Sequence, residues 1–258
     1  GNITFSSVLD GTSDYAEDLT LNAGTGTVGF GRNKVTGGVK KLGNITIQSA
    51  GNVQVSSSLN AKSVSATNSG TFLLSGSSAT ITARDGFSVS GNARMETCGI
   101  TTNGGNLTID GTLTIWGAKG DVLTTATLTT GGGALTITGI TDGTLKDSGV
   151  ETLILDAGAG AINVAALGSG SDKMLTDVTI DNAGTTNFNG AVNLTGALTQ
   201  SAGTGATTFK STVATGGKLL IVTGGNIQLD AGAAITSGAA GDAIILAAGG
   251  NFINNRGS

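Results

Sequence analysis

The acidic and basic side chains carry whatever chemistry this 258-residue chain can perform, because it has no histidine and one cysteine, Cys98. Without an imidazole, a serine–histidine relay and a histidine-ligated metal are both excluded. A single cysteine excludes an intramolecular disulfide and a cysteine-based zinc site, and Cys98 reads as a small buried hydrophobe. What remains is the paired-carboxylate chemistry of glycoside cleavage, which needs two acids converging near Arg or Lys. The acids are scattered. Asp14, Glu17 and Asp18 form the densest group, in a turn where they read as solvated, and Asp85 beside Arg84 and Glu96 near Arg94 read as surface ion pairs. The calcium-binding β-roll repeat is missing, since Gly131-Gly132-Gly133 lacks the following Asp, and isolated Asp-Gly turns offer only weak calcium ligands. No catalytic, metal or cofactor site is expected. The segment from Arg32 to Leu42 holds Arg32, Lys34, Lys40 and Lys41, four of the 13 basic residues, and interrupts the surrounding pattern. It reads as a solvated turn, and those four side chains are the candidate contact surface.

The elements that must position these groups are set by repetition. Gly-Asn followed by apolar, polar and apolar residues begins at Gly1 (GNITF), Gly43 (GNITI), Gly51 (GNVQV), Gly105 (GNLTI) and Gly225 (GNIQL). The same alternation recurs without Asn at Leu113-Thr114-Ile115, Leu135-Thr136-Ile137 and Val178-Thr179-Ile180. A period of two puts apolar residues on one face of a strand and Thr on the other. Asp-Gly, Gly-Gly and Gly-Asn pairs punctuate the strands, because Gly takes positive φ and Asn or Asp tolerates it.

Composition narrows the fold. Gly supplies 45 residues, Pro none, charged residues 12% and aromatics 3%. Collagen and disorder are both excluded, the first by the absence of Pro and the second by 38% apolar content with a net charge of only −4. The mild acidity leaves no footprint for nucleic acid, and no apolar run is long enough for a helical membrane span. Strands of about three to five residues, chain-wide recurrence and the scarcity of large aromatics favour an all-β, right-handed parallel β-helix over a sandwich. Coils of about 20 to 27 residues stacked about 4.8 Å apart give roughly ten to twelve coils and a rod of roughly 50 Å. The chain is expected to be one continuous solenoid over 1–258. It opens in mid-pattern and reads as a mature or excised piece of a larger protein, with any secretion signal upstream. Thr4, Thr20, Thr46, Thr108, Thr114 and Thr136 share an outward register, and the loops at Asp142–Val150 and Gly168–Leu175 are expected to protrude. A Thr ladder of this kind also suits an ice or crystal surface.

Taken together, Gly1–Phe5, Asp18–Phe30 (DLTLNAGTGTVGF), Leu153–Ile162 (LILDAGAGAI), Asp177–Asn187 (DVTIDNAGTTN) and Ile244–Asn255 (IILAAGGNFINN) resemble the Gly/Thr/Asn-rich repeat region of large bacterial exoproteins of the filamentous haemagglutinin type. The resemblance covers essentially the whole chain. It implies export by an outer-membrane partner and display at the cell surface or release from it. Chain-wide repeats, scarce charge and the lack of a catalytic constellation point to a non-catalytic structural or adhesive segment whose outer Thr, Asn and Ser rows contact surface glycans or copies of itself, with a polysaccharide-active enzyme on the same fold as the alternative. The chain departs from the family texture in the basic Arg32–Lys41 segment and at Met95-Glu96-Thr97-Cys98, either of which could form a local contact surface.

Overall fold

A computed structural model describes residues 1–31, 36–76, 79–117, 123–144, 150–170, 173–241 and 243–255. Among these residues there is no helix, and 25 strands form one sheet in which every pairing is parallel. The sheet closes on itself as a β-solenoid of about 10 turns.

Three columns of inward side chains define three faces. The first passes through Leu19, Ile45, Val64, Phe87, Leu107, Leu135 and Ile162. The second passes through Ile3, Val28, Val53, Phe72, Ala93 and Leu113. The third passes through Ile81, Ile100, Leu128, Leu155 and Ile180. Partners one turn apart are separated by as few as 19 residues, as from Asn52 to Thr71, and as many as 30, as from Gly143 to Lys173. Coil length therefore varies in the corners while the faces keep register, as stacked repeats allow.

The alternation read from sequence is the burial alternation. In Leu113–Ile115 and Leu153–Leu155 the odd-numbered residues are fully buried and the even ones half-exposed. The lumen is filled by Leu, Ile, Val and Ala, with a few Phe rings packed between turns. Phe188 lies on Phe209 at 4.9 Å between centroids, and Phe5 on Phe30 at 5.3 Å. Stacked rings of this kind add about 0.5–1.5 kcal/mol beyond area burial.

Strand length departs from the expectation in one region. Two strands, Leu59–Leu74 and Thr80–Met95, are 16 residues long and continue around a corner from face to face. Register shifts between Ala61 and Ser63 and between Thr67 and Thr71 make the bend, so hydrogen bonding persists where other coils use a loop.

The Gly-Asn pair has two distinct tasks. Asn side chains at strand entry accept the backbone N–H of the next coil: Asn2 from Thr27 at 2.9 Å, Asn52 from Thr71 at 2.9 Å, Asn106 from Ala134 at 2.9 Å and Asn226 from Asn251 at 2.8 Å. Asp177 does the same for Ala197 at 2.7 Å. The preceding glycines stack on one another, as where the Gly250 N–H donates to the Gly225 carbonyl at 3.0 Å.

Candidate functional site

The predicted contact surface is divided by the structure. Arg32 and Lys34 lie outside the described residues. Lys40 is exposed and Lys41 half-buried, just before the strand Leu42–Ala50. That placement draws Lys41 into a corner built around Tyr15. The ring of Tyr15 carries the Lys41 ammonium 5.6 Å from its centroid and the Arg84 guanidinium 4.3 Å from it. Both distances are within cation–π range. Tyr15 holds φ at 66°, alone among the described non-glycine residues in the left-handed region, and its N–H donates to the Lys41 carbonyl at 2.8 Å.

The acids expected in this turn surround the same corner. Asp14 accepts the Lys41 N–H at 2.9 Å, and this bond, with weaker help from the Lys41 and Lys40 charges, holds its carboxyl below the usual range. Asp18 is lowered by the backbone N–H and side-chain amide of Asn44, and Glu17 by the Thr12 hydroxyl. Asp85 is lowered by Arg84, which grips it through two hydrogen bonds of 2.6 and 3.0 Å. Lys62 adds a favourable charge to both Asp18 and Asp85. The result is a mixed-charge surface in which each carboxylate already has a partner. It suits polar contact.

Beside this corner, the first face presents a polar row running Thr20, Thr46, Ser65, Ser88, Thr108, Thr136 and Asn163. Thr4 and Thr114 are outward too but belong to the second face, paired with Gly29 and Arg94. A shallow groove of about 290 Å³ follows the polar row between Ser63, Asp85, Ser88 and Asn106.

A second corner was not legible in the sequence. Trp116, 39% exposed, lies against the Arg94 guanidinium at 3.3 Å from the ring centroid, and Arg94 faces Glu96 at 3.8 Å. Desolvation pulls the Arg94 pKa down, opposed by the Glu96 charge. The 22-residue separation hides the pair, and only the one-coil spacing, with Thr114 beside Arg94 in register, could have exposed it. Cys98 begins the next strand, buried as expected, with its thiol donating to the carbonyls of Glu96 at 3.2 Å and Leu74 at 3.5 Å.

One acid points into the lumen. Glu151 starts the strand Glu151–Asp156, pairs in register with Thr124, and is 1% exposed. Its Oε1 accepts the Thr144 hydroxyl at 2.9 Å, whereas Oε2 is buried with no partner among the described residues. Nearby Asp142 is satisfied by the N–H and hydroxyl of Ser169 at 2.8 and 2.9 Å. Among the described residues no three His, Cys, Asp or Glu side chains gather. No family model, curated protein or solved structure matches this chain.

Proposed function

We propose that the chain is a rigid spacer and attachment segment of a bacterial cell-surface or secreted exoprotein, non-catalytic, carrying display, adhesion or filament assembly. The observation that supports this most is the uninterrupted parallel ladder: each coil is hydrogen-bonded to its neighbours on three faces, from Ile3 and Leu19 to Ile235 and Phe252. Such a stack resists bending because deformation must break many ladder bonds together. The outward Thr, Ser and Asn row and the mixed-charge corner at Tyr15 and Lys41 supply repeated weak contacts to glycans or to other copies, whose strength comes from multivalency.

Association between copies side by side, through the outward polar row from Thr20 to Asn163, is part of the same reading. Light scattering and electron microscopy over a concentration series test it. Rods that associate as concentration rises, and that stay single in a Thr108→Lys, Thr136→Lys double variant, are the expected result. Monomers at every concentration would remove assembly. New reducing ends released from a polysaccharide panel would overturn the non-catalytic reading and restore the enzyme alternative.

A further inference from the structure

We propose that the lumen corner around Glu151 is a binding site for a hard cation of the Ca²⁺ type. The oxygens converge from three coils. Gly117 and Gly143 lack the side chains that would otherwise fill this corner, and the position a Cβ would take on Gly143 lies 2.7 Å from the Met174 carbonyl oxygen and 3.3 Å from Glu151 Oε2. The corresponding position on Gly117 lies 3.0 Å from Glu151 Oε1 and 3.4 Å from the Thr124 hydroxyl. The donors facing the two glycines are therefore a carboxylate, a hydroxyl and a carbonyl, all oxygen, as Ca²⁺ prefers.

The unpartnered Glu151 Oε2 supplies the demand for a ligand. An ionised Oε2 needs a donor and a protonated one needs an acceptor, yet neither is in place among the described residues. A buried carboxylate left in that condition is costly. A bound cation would answer both the charge and the missing bond. It would also tie Glu151 of one coil to Met174 of the next, fixing a corner where coils are longest.

The chain's one tryptophan gives a direct reading, since Trp116 adjoins Gly117. Tb³⁺ is titrated into the full chain with excitation at a wavelength selective for Trp, and Ca²⁺ is then added in competition. The expected result is sensitised Tb³⁺ emission that Ca²⁺ displaces, with Tm rising by roughly 5–10 °C at a hundredfold excess of Ca²⁺ over its Kd. Glu151→Gln should abolish both signals. Glu96→Gln, at the surface beside Arg94, should keep both, and Trp116→Phe should lose the emission while keeping the Tm rise. Absence of emission and of a Tm rise in the unaltered chain overturns the site, whether or not Glu151→Gln folds. Loss of the signals in Glu96→Gln in place of Glu151→Gln overturns it as well, assigning the ion to the surface.

Discussion

Gly160 sits directly over Gly133, so close that a Cβ on Gly160 would lie 2.5 Å from the Gly133 carbonyl carbon and nearer still to its oxygen. The obstruction is backbone on the neighbouring coil, so it cannot rotate away. The same close approach recurs at Gly184, where a Cβ would run into the Ala159 carbonyl, and at Gly225, where it would run into Gly205.

Gly160→Ala is therefore expected to force the corner open and destabilise the solenoid by about 3 kcal/mol, at the upper end of overpacking. Gly170→Ala is the control, because a Cβ there meets nothing within 4 Å. That change should be neutral or stabilise by about 0.5 kcal/mol through the unfolded chain. Urea denaturation of the two variants checks both outcomes, and equal midpoints would remove the steric account of the glycine column.

The Asn ladder predicts a chemical, not a steric, dependence. Asn106→Ala removes the acceptor for the Ala134 N–H and should lower stability by about 1 kcal/mol. Asn106→Asp keeps the acceptor and should lose little, since Asp177 already does this work for Ala197 at 2.7 Å. Hydrogen exchange at the Ala134 amide separates the variants: faster in the alanine protein, close to unaltered in the aspartate protein.

Cys98 is expected to be inert while the protein is folded. Burial pushes its pKa up to about 12, so the nucleophilic thiolate is scarce at pH 8. Labelling by a thiol reagent should proceed no faster than unfolding and become rapid in denaturant. Prompt labelling of the native protein would contradict the buried position.

Acid should loosen the Tyr15 corner first. Asp14, Glu17, Asp18 and Asp85 all have folded pKa values below their ordinary values of 3.8 for Asp and 4.5 for Glu. Their stabilisation is thus fully present above those ordinary values and is lost as pH falls through them toward the lower folded values. Amide exchange at Lys41 and Asn44, whose N–H groups bond to Asp14 and Asp18, should accelerate below about pH 4 before the distant coils respond. Uniform acceleration along the whole chain would argue against a local cause.

The sequence by itself determined the all-β class, the stacked coils and the inward set. Apolar–polar alternation of the kind in Leu113-Thr114-Ile115 has only one way to bury its apolar half, and chain-wide repetition makes neighbouring coils the partners. It also placed Asn at turns by local pattern and Cys98 in the core by residue type, since free Cys is among the most often buried residues. It did not disclose that the Asn oxygens cap the next coil, that Arg94 lies on Trp116, or that Glu151 turns inward. Each of these depends on which residues stand above one another. Because coil length varies from 19 to 30 residues, that register is decided by how the corners close and cannot be counted along the chain. Glu151 is the clearest case: its period-two spacing from Leu153 and Leu155 points inward, but the apolar Ile154 leaves the parity open and a lone carboxylate reads as solvated, so only the pairing with Thr124 in the stacked coil fixes its side chain in the lumen.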